Sequence, residues 1–302
     1  MASNRREASE KGSGLRVRRM EVSDVERVLE LRSVVSWATD PRAFDLLRGV
    51  RDARWFVAER PDGGLAGMVG AVPLGVVGIL CHLAVHNGYR GLGLGRELSA
   101  WAVAYLKGRG TGTVRLYATG PAEPIYRSLG FRETGRRTAY RLDRPARRVV
   151  PAGADDRGID TLRFGDLPEL YGVDLWGNGA DRSPLIFSVL GLRFGRGFVA
   201  RDAAGGMEGY LILDASDAPV RVGPFASRTP EAARRLLLRA LWAAGDAPVR
   251  VISTGAEDCP SHDLLQEVGF VGRPDRLRME LGRRADVPGG LVQYGTTPFM
   301  AT

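Results

Sequence analysis

Arg90-Gly91-Leu92-Gly93-Leu94-Gly95-Arg96 is the stretch of this 302-residue sequence whose residue types and spacing could do chemistry. Glycine reaches backbone angles closed to other residues and carries no Cβ. A loop rich in it can turn several peptide N–H groups toward one anion. An apolar helical stripe starts at Leu94, and a helix N-terminus adds positive potential at the same place. Arg90 and Arg96 add full charges, so a diphosphate would suit the loop. Three phosphate-binding arrangements compete. A P-loop needs Gly-Lys-Ser/Thr, which is absent. A dinucleotide fingerprint needs Gly-x-Gly-x-x-Gly, but Arg96 stands at its last glycine, and the βαβ setting and downstream acid are missing. The third is a loop for the pyrophosphate of coenzyme A.

Other reactive side chains are few. Strand alternation puts Ile79, Cys81, Leu83 and Val85 on one face and His82 on the other, unless a bulge reverses it. His82 reads as a packed histidine, and His86, at the loop entry, as structural. Cys81 could carry an acyl group, but no partner is visible in sequence. Tyr126 could pack under the Gly130-Phe131 turn, and Glu123 reads equally well as a solvated helix charge. Trp37 and Trp55 could line a pocket, with core packing as the default for tryptophan. Asp174, Asp181 and Arg182 could form a polar cluster, most simply an ion pair and cap. Two distant cysteines, Cys81 and Cys259, and three histidines give no disulfide framework and no metal-ligand spacing, so no metal is expected.

The elements that must hold the loop follow from periodicity. Leu15 to Met20 reads as a strand. Ser23 with Glu26 makes a capping-box pattern for a helix to about Val34. Asp40-Pro41 opens another helix. Trp55 to Glu59 reads as a strand, then two apolar strands join around Pro73-Leu74-Gly75. The loop of Asn87 to Gly95 feeds a helix with Leu94, Leu98, Trp101, Ala102, Tyr105 and Leu106 on one stripe, stopped by Gly108. Thr113 to Ala118 is a strand. A short helix with Ile125, Tyr126 and Leu129 ends at Gly130, and Phe131 and Ala139 to Leu142 belong to closing strands. The order then loosely repeats. Phe198 to Arg201 and Met207 to Asp214 make a hairpin around Gly205-Gly206. Arg221-Val222 leads into Gly223-Pro224, Thr229-Pro230-Glu231 opens an amphipathic helix, and Val249 to Ser253 is a strand. Leu264-Leu265-Gln266-Glu267-Val268-Gly269-Phe270 parallels Ile125 to Phe131. The expected organisation is a tail over 1–14, a domain over 15–143, a Pro- and Gly-containing linker over 144–158, a related domain over 159–285 and a tail over 286–302.

Composition bounds the rest. At 44% hydrophobic and 26% charged the chain is ordinary globular protein. All but two of its 43 basic residues are arginine, the exceptions being Lys11 and Lys107, and the net charge is +8. The arginines are scattered rather than clustered with aromatics, so nucleic acid is not the expected partner. Leu65 to Val85 carries no formal charge, but four glycines and a proline punctuate it. Two strands account for it, and no membrane association is expected. The polar opening residues lack the apolar stretch of a signal peptide, and with the free thiols they point to the cytoplasm.

With these residues in view, the first half resembles the GNAT superfamily of acetyl-CoA-dependent N-acetyltransferases. The resemblance rests on Leu83-Ala84-Val85-His86, Tyr89-Arg90-Gly91-x-Gly93-x-Gly95 and Tyr126-x-x-Leu129-Gly130-Phe131, and spans roughly Leu15 to Asp143 in element order. The second half is similar to the YitH-type acetyltransferase domain. That rests on Asp174-x-x-Gly177-x-x-x-Asp181-Arg182, Gly223-Pro224-Phe225-Ala226, Gly269-Phe270 and Arg278-Met279. It lacks the Arg-x-x-Gly-x-Gly loop, which marks it as degenerate. The resemblance implies an α/β (α+β) fold of two tandem GNAT-like domains, each a mixed, mostly antiparallel twisted sheet flanked by helices. It implies an acyl-CoA, acetyl-CoA above all, as co-substrate and a small-molecule or peptide amine as acceptor. The strand ending at Val85 would splay from the strand at Thr113 to Ala118, with pantetheine in the gap. Backbone N–H groups near Leu83 to Val85 would polarise the thioester carbonyl. Arg90, Gly91, Leu92, Gly93, Leu94, Gly95 and Arg96 would hold the pyrophosphate. Tyr126 would protonate the leaving thiolate. A degenerate module that senses CoA species without turnover, and a basic nucleic-acid-associated protein, are the alternatives. Neither the general base nor the acceptor is written in a motif.

Overall fold

The structure is a computed structural model and describes residues 9–10, 14–37, 50–143, 150, 158–192, 195–216, 218–254, 259–283 and 290–296. The helix expected at Asp40-Pro41 and nearly all of the expected linker lie outside these residues. The chain divides into two compact units. One holds the described residues up to Arg132 together with 279–283, and the other holds Glu133–Arg278 with 290–296.

In the first unit, β1 (Ser9–Glu10), β2 (Arg16–Arg19), β3 (Arg54–Glu59), β4 (Leu65–Leu74) and β5 (Val77–Val85) are successive antiparallel neighbours. The uncharged run from Leu65 is thus a hairpin, turning at Gly75 with φ +71°. β6 (Thr113–Ala118) runs parallel to β5, and residues 279–282 lie beside β6 on its far side. Helix α1 (Val25–Val34) follows a turn that Asp24 caps. The Asp24 carboxylate accepts the Glu21 amide at 2.7 Å, so the cap is not the Ser23/Glu26 pair that the sequence pattern suggests. Asp24 wins, in a reciprocal cap with Glu21, because it also reaches Arg18 at 2.7 Å. Helix α2 (Leu94–Gly108) buries Leu94, Leu98, Ala102 and Leu106 at helical spacing against β3, β4 and β5. Helix α3 (Glu123–Ser128) is short and ends before Gly130, whose φ of +88° suits only glycine readily.

In the second unit, β7 (Arg132–Leu142) runs antiparallel to β12 (Val249–Ser253). The sheet continues through β11 (Val220–Ser227), β10 (Met207–Asp214) and β9 (Arg196–Arg201) to β8 (Ile159–Thr161). Only β11 and β12 among these neighbours are parallel. β13 (Val271–Gly282) flanks β7, and its last residues, from Met279, are the ones that complete the first unit. The sequence boundary after Asp143 therefore differs from the structural one. Thr138 to Leu142 lie in register with Ser253 to Val249, so the strand counts with the second unit's sheet. Helix α6 (Pro230–Ala244) packs Leu236, Leu237, Ala240 and Leu241 into this core, and α7 (Pro260–Glu267) adds Leu264 and Leu265. Two helices escape the periodicity reading, α4 (Leu167–Asn178) and α5 (Ser183–Leu192). α5 is apolar almost all round, so no stripe marks it. A last strand, β14 (Val292–Gly295), falls where a tail is expected from sequence.

Candidate active site

β5 and β6 pair only at Val77↔Thr113, Gly78↔Val114 and Ile79↔Arg115. Beyond Ile79 the two strands part. On its other side β5 stays paired to β4 as far as Gly67↔Val85. The second half of β5 thus offers one edge of backbone N–H and C=O groups to the space between β5 and β6. Such groups require partners, from water or from a ligand with amides of its own.

The glycine loop closes one end of that space. Asn87–Tyr89 makes a single tight turn, with His86 Nδ1 accepting the Gly88 amide at 3.1 Å, so His86 is structural. Gly91 and Gly93 then take φ of +78° and +80°. Gly93 is also the residue before the first turn of α2. Among the described residues, no hydrogen bond to backbone or side chain takes the amides of residues 91–96. Leu94, Gly95 and Arg96 supply first-turn amides, which a helix cannot satisfy from within. Arg90 and Arg96 are exposed beside them, and Arg90 Nε donates to the Val85 carbonyl at 3.2 Å. That bond ties the arginine to the end of β5.

Gly95 marks the convergence of the elements. A Cβ there would lie 3.1 Å from Ile125 Cδ1, 3.7 Å from Val85 Cγ2 and 3.9 Å from Leu83 Cδ2. Strand end, helix start and α3 therefore meet around one small residue. Tyr126, next to Ile125, is buried, with its ring edge-on to Phe131 at 5.8 Å. The packing expected of it is present.

The alternation expected along β5 is corrected by a bulge. Met68 pairs with Ala84 and Gly70 with Cys81, so Val69 alone opposes both His82 and Leu83. His82 takes φ +53°, which is rare for a residue with a side chain. The extra residue shifts everything after it to the opposite face. Leu83 and Val85 accordingly lie toward Gly95 and α2, while Cys81 lies on the other side, where a Cβ on Gly70 would touch its Sγ at 2.9 Å and Trp55 Nε1 at 3.1 Å. On the α1 side, Arg32 Nη1 lies 3.0 Å from His82 Nδ1, and its guanidinium stands 5.5 Å from the Trp37 ring centre. Arg32 and His82 are both buried. Sequence reasoning missed Arg32, because a charged residue on a surface-type helix is ordinarily solvated. Burial pushes the Cys81 thiol up to about 12, against the opposing pull of Arg32. It is a protonated thiol at neutral pH, not a nucleophile. Trp55 also borders a separate concavity with Met20, Val22, Val25 and Ala53, which contains none of the loop residues.

Residues 51–133 match the acetyltransferase (GNAT) domain family. No curated protein sequence matches the chain. Among solved structures, a Pyrococcus horikoshii protein described as an acetyltransferase superposes with a TM-score of 0.78 at 17% identity, covering 97% of each chain. A GCN5-related N-acetyltransferase from Sphaerobacter thermophilus gives 0.64 at 17% identity, over 92% of this chain and 98% of that one. A tandem GNAT protein from the clavulanic acid biosynthesis pathway gives 0.64 at 16% identity, over 90% of this chain and 100% of that one. At these identities the likeness is one of fold, and the fold is that of a tandem GNAT protein.

Proposed function

We propose that the chain is an acyl-CoA-dependent N-acyltransferase, with acetyl as the expected group and the first unit as its catalytic part. The carrying observation is the pairing of an open strand edge beyond Ile79 with a loop whose amides at residues 91–96 take no partner among the described residues. Pantetheine carries two amides, which suit a strand edge, and its diphosphate suits the loop between Arg90 and Arg96. The donor's thioester would then lie near Leu83 to Val85, where backbone N–H groups meet the charge that develops on the carbonyl oxygen. A neutral amine attacks the carbonyl carbon, the C–S bond breaks, and the thiolate leaves with the bonding pair. Tyr126 supplies the proton to sulfur. The attacking nitrogen sheds its own proton to a base or to water. Cys81, held protonated, leaves direct attack as the route, with no acyl-enzyme. The YitH-type reading of the second half belongs to this proposal, as do the cytoplasmic setting and a small-molecule or peptide acceptor.

Calorimetry with acetyl-CoA tests the reading. One donor per chain is expected, lost in Gly93→Trp, since a bulky residue at φ +80° strains the loop and fills it. A wild-type chain that binds no acetyl-CoA sinks the proposal. The strand from Ile79 to Val85 holds no carboxylate, which favours the sensing alternative as a second reading. Binding without CoA release across a broad amine panel would select it.

A further inference from the structure

Among the described residues, each unit has a parallel strand pair that comes apart after three residue pairs. In the second unit β11 and β12 pair at Val220↔Val249, Arg221↔Arg250 and Val222↔Val251, and then part as β5 and β6 do. Here the parting is filled. β14 runs antiparallel to β11, with Phe225↔Gly295, Ala226↔Gln293 and Ser227↔Val292. On the other side, the Thr296 amide donates to the Ile252 carbonyl of β12 at 2.8 Å. Backbone of this chain therefore meets both inner edges that the first unit leaves open among the described residues.

The fit is close. A Cβ on Gly295 would lie 3.2 Å from Val251 Cγ1 and 3.3 Å from the Val222 carbonyl, and one on Gly223 would collide with the Thr296 carbonyl. The Tyr294 ring is fully buried and stacks on Phe225 at 4.9 Å. The buried cluster of the second unit reaches the same strand. Arg182 Nε donates to Asp174 Oδ2 at 3.0 Å, its Nη2 donates to the Tyr210 hydroxyl at 3.2 Å, and its Nη1 reaches Gln293 Oε1 at 3.4 Å.

The turn from β11 into α6 is also unlike the loop at residues 90–96. It reads Ser227-Arg228-Thr229-Pro230, with no glycine. Pro230 has no N–H to offer, and Thr229 Oγ1 already accepts the Ala232 amide at 3.3 Å. The same hydroxyl donates to Glu208 Oε1 at 2.5 Å, which sets a carboxylate where a diphosphate would approach.

We propose that β14 is the permanent occupant of the second unit's donor gap. The chain then carries one acyl-CoA site, in the first unit, and Asp174, Arg182 and Tyr210 serve to seat the strand that fills the other. This rests on the reading that the gap in the first unit takes the donor. Two measurements on the full-length chain test it. Calorimetry should give one acetyl-CoA per wild-type chain and at least a 100-fold loss of affinity, with no residual site, in Gly93→Trp. Amide hydrogen exchange should show Thr296 and its β14 neighbours protected like the core strands, and unchanged by saturating acetyl-CoA. Two donors per wild-type chain, one of them kept by Gly93→Trp, overturn the proposal and leave the first unit's function standing, whereas a single donor that Gly93→Trp keeps overturns both readings. Exchange of the Thr296 amide at the free-chain rate, or its acceleration by acetyl-CoA, overturns it too. No binding by the wild type removes both readings together.

Discussion

Tyr126 offers a substitution that separates chemistry from packing. Its ring is buried against Phe131, and the Phe131 amide bonds back to its carbonyl at 3.1 Å. Tyr126→Phe keeps the ring and the turn and removes one oxygen. If the hydroxyl protonates the leaving thiolate, kcat should fall about 100-fold, the scale of general acid catalysis. The affinity for acetyl-CoA should stay within about threefold, because the proposed donor contacts are backbone and arginine. Single-turnover kinetics beside calorimetry would read both, and an unchanged kcat removes the role. The loop glycines were legible in sequence because positive φ is a local demand that glycine answers locally, as Gly91 and Gly93 do. The faces of β5 were not. A bulge is a count of two residues against one, and the one, Val69, belongs to the partner strand. Arg32 beside His82 was hidden for a related reason, since burial of a helix charge is decided by what folds over it.

Among the elements, the turn into α1 is held by charge more than by helix propensity. Asp24 is fully buried, and Arg18 spans it and Glu59, with Arg18 Nη2 to Asp24 Oδ1 at 2.9 Å and Arg18 Nε to Glu59 Oε2 at 2.9 Å. Arg27 also reaches both carboxylates. The hydrogen bond from Arg18 is the main cause holding the Asp24 carboxyl below the usual range, and it does the same for Glu59. Both pKa values are lower folded than unfolded. The stability they contribute is therefore complete above the unfolded values, about 4, and is lost as pH falls through the folded ones. The urea midpoint of the first unit should hold level from neutral pH to about pH 5 and drop below about pH 4. Asp24→Asn should cost about 2 kcal/mol at neutral pH and flatten the acid limb. An equally steep acid limb in that variant would show that other groups control it. The helix itself was readable from its pattern. Its cap was not, because Ser23 and Asp24 both suit a capping position, and the choice between them is made by Arg18, in another element.

At the scale of the whole molecule, the order of domains along the chain and the division of its core do not coincide. The sequence repeats a short helix followed by Gly-Phe at two places, and that repeat led correctly to two related folds. It also led to a boundary after Asp143, because a strand is assigned to the element it follows. Strand pairing is not a sequential property. β7 lies in register with β12, and the first unit is completed by residues 279–283, which follow both. Those residues are not a loose edge. Arg115 Nε of β6 donates to Glu280 Oε1 at 2.6 Å with both side chains nearly buried, the Arg283 amide donates to the Gly112 carbonyl at 3.3 Å, and Thr113 Oγ1 donates to the Arg283 carbonyl. A protein cut at the boundary read from sequence therefore loses the partners of β6 and leaves the Arg115 guanidinium without this carboxylate. The isolated fragment 1–143 should fail to melt cooperatively. In the full chain, Glu280→Ala should lower the stability of the first unit by roughly 3 kcal/mol, the scale for breaking a buried ion pair. It should also weaken acetyl-CoA binding only in step with the unfolded fraction, because Glu280 lies outside the 90–96 loop. Calorimetric melting of fragment and variant would decide this. A fragment that melts in one transition and binds acetyl-CoA as the full chain does would show that the first unit is complete without residues from the other end of the chain.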